Sequence, residues 1–218
     1  MDTKSWIDFT IKETESALTL FYSYMGFYES LRDDEVVAAA NKNSEFWRTH
    51  SASLQHTLFL YLGRLSDDSS GCKSFSGFKT HCIRNASDFS ESAFLKRRGD
   101  VLKINPNYLD DSVFPNESDI GRLFSIATKH NGYLRAECKT IRSRVYAHAI
   151  YTEQHEYYHL FEKVKLGEIE EVLLALWSVS QHLWQSYQNA REITLELLAF
   201  PEKERIFNAT RKAITGAI

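Results

Sequence analysis

Few residues in this chain are able to stop a helix. Its 218 positions hold 3 Pro and 9 Gly, many of them in the middle third. Long stretches on either side therefore run without the roughly 1 kcal/mol penalty of an interior Gly or the roughly 3 kcal/mol of an interior Pro. With 43% apolar residues there is material for a real core, and disorder of the whole chain is excluded. The expectation is an all-α fold, an antiparallel helical bundle of about five to six helices in one domain. Its core should span about residues 5–200, with a helical tail over 201–218.

Periodicity places the elements. Trp6, Phe9, Leu20, Tyr24, Phe27 and Leu31 recur three and four apart and predict a first helix from Trp6 to about Leu31. A second should start at Ser44 as N-cap and run through Trp47, Leu54, Leu58, Tyr61, Leu62 and Leu65, stopping at Ser66-Asp-Asp-Ser-Ser-Gly71. Phe75 to about Asn85 reads as a shorter helix. Residues 86–116, rich in Ser, Asp, Asn and Pro, read as an irregular connection with one helical turn near Glu91 to Arg97. After Pro115 a seam of Leu123, Ile126, Ala127, Leu134, Cys138, Ile141 and Val145 predicts a third long helix ending at His148. Residues 151–165 lack clean periodicity. A further helix should begin at Gly167-Glu-Ile-Glu-Glu171, whose acids suit a first turn, and continue towards Phe200 until Pro201 ends it. A last amphipathic helix over Glu202 to Ile214 leaves Lys203, Arg205, Arg211 and Lys212 outward.

The formal charge of −3 gives no global attraction to nucleic acid, so a polyanion site must be a local patch. Three cysteines, Cys72, Cys82 and Cys138, are an odd number without C-x-x-C spacing. Neither a disulfide framework nor a cysteine zinc site follows, and a reducing cytosol fits best. The start, Met1-Asp-Thr-Lys-Ser-Trp6, is unlike a signal peptide, and no window reaches the ~20 apolar residues of a membrane span. A soluble, cytoplasmic protein without a membrane partner is expected.

Function shows most in Ile141-Arg-Ser-Arg-Val-Tyr-Ala-His148. An arginine holds phosphate by charge and paired hydrogen bonds, and a histidine moves protons near neutral pH. With 13 Arg and 8 His in the chain the spacing by itself is weak, so context must carry the claim. On an ideal helix His148 lies within about 20° of Ile141 and about 60° of Val145, on the apolar seam, whereas Arg142 lies about 120° from His148. One straight helix keeps the two apart. They meet if the helix ends or bends near Ala147, or if two such helices pair across a dimer axis, which would also cover the seam.

From pattern alone the favoured reading is His148 as an interior histidine and both arginines as solvated or ion-paired. The local charge shifts the balance. Between Arg122 and His148 stand Arg122, Lys129, Arg135, Lys139, Arg142 and Arg144 against one acid, Glu137. A basic helix in an acidic chain suits phosphates, which makes Arg135 and Lys139 candidate contacts.

The octapeptide resembles the R-x(4–6)-H signature of the HEPN superfamily of helical nucleotide- and RNA-binding domains, above all the form seen in its AbiU-type abortive phage infection branch. Tyr61-Leu-Gly-Arg-Leu-Ser-Asp67 is similar to the L-x-R-L-[ST]-D segment of that branch. The helix order agrees over roughly residues 5–200. The resemblance implies a bundle that dimerises through the Arg142/His148 helix, with both motifs facing one cleft. In active members this is a metal-independent endoribonuclease without cofactor, acting in phage defence or as the toxin of a toxin–antitoxin pair. Its partners would then include an antitoxin or neighbouring defence protein as well as RNA or nucleotide. By that analogy Arg142 stabilises charge on the phosphate and His148 transfers protons, while Ser143 orients RNA or the arginine and Arg144 is an auxiliary phosphate contact. Two departures stand out. Ala149-Ile150 replaces the acid that often follows the histidine, and Tyr151 is one position out of register with the tyrosine of the antitoxin-modified branch.

His155-Glu-Tyr-Tyr-His159 fits H-E-x-x-H, in which His155 and His159 hold zinc and Glu156 is the general base. Its surroundings lack the third histidine at longer zincin spacing, and Glu168, Glu170 and Glu171 come soon for a distant third ligand. The reading without metal is an exposed His/Tyr segment. The aromatic residues are numerous, but Tyr146 and Tyr151 are the ones near enough to the motif to stack on bases. His50, His56 and His130 read as structural or surface residues. Three readings stand: endoribonuclease, non-catalytic helical dimer binding nucleotide, RNA or protein, and zinc metalloprotease.

Overall fold

The structure, a computed structural model, describes residues 2–67, 69, 72–147 and 161–216, apart from the side chains at 129, 131, 135, 139, 146 and 147. Every regular element among them is helical. In order these are α1 (Thr3–Ser30), α2 (Asp34–Asn41), α3 (Ser44–Leu65), α4 (Phe75–Arg84), a 3₁₀ turn (Ala86–Phe89), α5 (Glu91–Arg98), α6 (Val101–Ile104) and α7 (Glu117–Tyr133). The chain continues through π-helical Leu134–Cys138, α8 (Lys139–Ile141) and π-helical Arg142–Ala147, and resumes with α9 (Leu166–Asn189) and α10 (Lys203–Thr215).

Local chemistry sets most of the starts. The carboxylate of Asp2 accepts from Ser5 N at 2.7 Å to open α1, and Ser74 and Ser90 accept from Gly77 N and Ala93 N to open α4 and α5. Asn116 and Asp119 bond each other's backbone N–H reciprocally, at 3.1 Å both ways, and so fix the first turn of α7. Short α2 is signalled by the same means, since Asp33 accepts from Glu35 N and acids follow it.

α1 is the centre of the bundle and packs on α3, α9 and α10, while α7 packs on α4 and α9. That placement explains why Trp6, Phe9, Leu20 and Tyr24 are only half-buried. The face turned fully inward is Ile7, Ala17, Leu18, Phe21 and Tyr22, and the aromatic stripe fills the flanks between neighbours. One core joins it to Leu58 and Leu62 of α3, Phe78 of α4, Leu123 and Phe124 of α7 and Leu173, Leu176 and Leu183 of α9. The predicted tail is part of the body. α10 lies so close to α1 that a Cβ on Gly26 would stand 3.3 Å from Phe207, and Arg211 pairs with Asp33 at the start of α2.

Ten α-helices among the described residues, several of them short, stand where about five to six were expected. Two further expectations are revised. The connection 86–116 carries the expected turn, as α5, but also a 3₁₀ turn and α6, and Phe89 and Phe94 are buried where it is anchored to the end of α9. Arg97 donates to Asp88 O at 2.7 Å and Tyr187 O at 3.0 Å, and Tyr108 Oη donates to Asn189 O at 2.9 Å. It is a brace on α9. That helix in turn stops at Asn189 instead of Phe200, because Ala190 takes a left-handed conformation at φ 47°. Residues 191–200 then run back along α9 without regular structure. Ser178 Oγ accepts from Leu198 N at 2.8 Å, and His182 Nε2 donates to Glu196 O at 3.0 Å. Buried polar side chains of α9 thus replace the helical hydrogen bonds that this stretch gives up. No helix among the described residues is long and apolar enough to cross a membrane.

Candidate functional site

The arginine motif lies on the continuation of α7, and that continuation is not uniformly α-helical. From Leu134 to Cys138 and again from Arg142 to Ala147 the backbone is π-helical. Each N–H there reaches five residues back instead of four, so the even 100° spacing assumed for Arg142 and its successors does not hold. Such stretches are rare and occur often at functional sites. The seam persists through them, with Leu134, Cys138 and Ile141 fully buried and Val145 half-buried against the core. What covers it is α3 of the same chain, which packs on both π-helical stretches and on α8. A second subunit is therefore not needed to hide this face, contrary to the expectation from periodicity.

Arg142 leaves the seam over Gly63. A Cβ added at Gly63 would stand 2.6 Å from Arg142 Cγ, 2.9 Å from Cδ and 3.1 Å from Cβ, so the arginine stem occupies the space a side chain would need. Arg142 itself is half-buried, and its Nε is buried and makes no hydrogen bond among the described residues. Ser143 beside it is half-buried and Arg144 is exposed.

Arg64 and Ser66 of the same Tyr61–Asp67 stretch have structural partners. Arg64 stacks 4.3 Å over the Tyr61 ring and pairs with Glu13 of α1 at 2.7 Å. Ser66 Oγ donates to Gly63 O at 3.1 Å and helps close the end of α3. Gly63 is thus a member of the stretch that touches the motif, a role that sequence reasoning did not assign. A signal existed, since an interior helix glycine carries a penalty of about 1 kcal/mol and asks for a packing reason.

Arg135, Lys139 and Tyr146 have helical backbones on this stretch, and their side chains lie outside the described residues. So do His148, Tyr151, His155, Glu156 and His159 in full. Cys138, directly under the motif, is held by burial as a thiol with its pKa pushed up to about 12.

The end of α7 is clamped to the start of α9. Tyr133 Oη accepts from Lys165 N at 2.7 Å and donates to Lys165 O at 3.3 Å, and burial raises the phenol's pKa, Cys138 and Glu168 adding to it. The clamp brings His130 of α7 together with Glu168 and Glu171 of α9, their ligand atoms all within 4.8 Å of one another. His130 is buried, at 7% exposure, and not a surface residue.

No family model, no curated protein and no solved structure matches this chain.

Proposed function

We propose that the protein is an RNA-binding, HEPN-type dimer and a metal-independent endoribonuclease that serves in phage defence or as the toxin of a toxin–antitoxin pair. One observation carries the reading. The two stretches on which the resemblance rests, far apart in sequence, meet in space, with Arg142 laid across Gly63. The π-helical turn that begins at Arg142 adds support. So does the difference between the arginines, since Arg64 is committed to Glu13 while the Nε of Arg142 makes no hydrogen bond among the described residues.

In this reading the ribose 2′-oxygen attacks the adjacent phosphorus and the bond to the 5′-oxygen breaks. His148 takes the 2′-hydroxyl proton, the leaving 5′-oxygen receives one, and the guanidinium of Arg142 stabilises charge building on the non-bridging oxygens. Arg144, Lys139 and Arg135 hold flanking phosphates, Ser143 orients the arginine or the RNA, and Tyr146 and Tyr151 stack on bases.

The test is cleavage of structured RNA in excess chelator by wild type, Arg142→Ala, His148→Ala and an equimolar mixture of the two variants. Chelator-resistant cleavage lost in each variant supports the proposal. If one subunit's arginine serves the other's histidine, the mixture regains about one quarter of wild-type activity, since random exchange makes half the dimers mixed and each has one intact site. Failure of wild type to cleave, with RNA binding lost in Arg142→Ala, selects the non-catalytic binding dimer instead.

A further inference from the structure

We infer that His130, Glu168 and Glu171 form a zinc site that ties the end of α7 to the first turns of α9. Their three ligand atoms lie within 4.8 Å of one another. Around a tetrahedral zinc with ligand distances of about 2.1 Å, neighbouring donors stand about 3.4 Å apart, so rotamer adjustment closes the set without moving a helix.

The arrangement is built by packing around it. Leu134 at 1% exposure and Ile169 at 1% belong to the common core and fix the two helices next to the three ligands. The Tyr133–Lys165 hydrogen bonds lock the register between them. Glu168 and Glu171 are three apart and so share one face of α9. The acid between them is used otherwise, Glu170 Oε1 accepting from Tyr22 Oη and from Lys203 Nζ, each at 2.9 Å. The three acids of the first turns thus divide, one serving the α1–α10 side and two converging on a buried imidazole.

Donor chemistry selects the ion. One imidazole and two carboxylates suit zinc, whereas magnesium and calcium prefer sets made of oxygen alone. A dication also offsets the repulsion of two carboxylates held on one helix face. His130 precedes Arg142 by more than two helical turns along this element, so the ion braces the helix that carries the motif and takes no part in the RNA chemistry. The site does not rest on the ribonuclease reading, and its test does not read cleavage.

The experiment loads chelator-stripped, full-length protein with zinc chloride and measures zinc per chain by elemental analysis after dialysis, together with Tm. We expect one zinc per chain and a Tm about 5–10 °C higher at saturation, with millimolar magnesium without effect. Glu168→Gln and Glu171→Gln alter partly exposed positions and keep the fold, and each should weaken zinc binding at least tenfold. His130→Gln is the third variant, read by zinc content only where its circular dichroism matches wild type. Zinc retained at wild-type affinity in Glu168→Gln and Glu171→Gln but lost in His155→Ala would place the metal on the other motif and overturn the proposal. Absence of zinc binding by wild type would overturn it as well.

Discussion

Gly63 lies under the side chain of Arg142, so closely that a Cβ at that position would stand 2.6 Å from Arg142 Cγ and 2.9 Å from Cδ. Helix α3 and the π-helical turn that bears the arginine are thereby joined at a point where one element supplies the space and the other the charge. A residue whose helix propensity is poor stands where close approach requires it.

Replacing it should be felt in stability as well as function. In Gly63→Ala the new Cβ meets the root of the arginine, its Cβ and Cγ as well as Cδ, so the two elements must part and the gain of about 1 kcal/mol in helix propensity is outweighed. We expect a Tm lower by roughly 3–6 °C and, at a temperature where the variant is folded, RNA cleavage down at least tenfold. Wild-type cleavage by the folded variant would sever Arg142 from the proposed chemistry.

Acid should loosen the attachment of α1 through His81. Its Nε2–H donates to Thr3 Oγ1 at 3.0 Å, the Thr3 hydroxyl donates on to Asp88, and Nδ1 accepts from Asn85 Nδ2 at 3.4 Å, an arrangement for neutral imidazole. Burial holds the ring's pKa below the usual 6.5, against the pull of Asp88 and Asp2. A depressed folded-state pKa means that the stability from this group is complete above pH 6.5 and is lost as pH falls from there towards the folded value. Melting curves from pH 7.5 to 5 should show wild type declining more steeply than His81→Gln, which keeps a donor towards Thr3.

The three cysteines should differ sharply in reactivity. Burial raises the thiol pKa of both Cys138 and Cys82, whereas Cys72 is exposed. A thiol reagent at pH 8 is expected to label one cysteine per native chain, identified as Cys72 by peptide mass, and all three after denaturation. Native labelling of Cys138 would mean that the seam beneath the arginine motif opens readily.

Ser178 should matter more than its size suggests. Its Oγ donates to Leu174 O at 2.7 Å and accepts from Leu198 N at 2.8 Å, at a position with 0% exposure. Ser178→Ala strands a backbone N–H, which costs about 1–2 kcal/mol, or roughly 3–6 °C in Tm for a domain of this size. Protease cleavage within 191–200 at a native temperature should accelerate in the variant.

Much of the secondary structure was legible because its causes are local. Asp2, Ser74 and the Asn116/Asp119 pair mark starts through hydrogen bonds made within a few residues, and the breaks after Leu65 and Arg84 follow composition. Where reading failed, the deciding contact came from afar. Residues 191–200 carry no breaker until Pro201, yet they leave the helix because Ser178 and His182 offer them other partners. Residues 86–116 look irregular by composition outside Glu91 to Arg97, yet they order because Phe89 and Arg97 dock on Tyr187 of α9 and Phe94 packs between Tyr108 and Phe114.

The candidate site divides the same way. By itself the sequence determined that the fold is all-helical, where most helices begin, and that Arg142 stands in a basic stretch, since period, caps and charge are properties of neighbouring residues. Only the tertiary structure decided that Arg142 rests on Gly63, that α3 of the same chain covers the seam, and that His130 meets Glu168 and Glu171. Those relations depend on how helices separated in the chain are pressed together by a shared core, and no local pattern encodes the distance at which they stop.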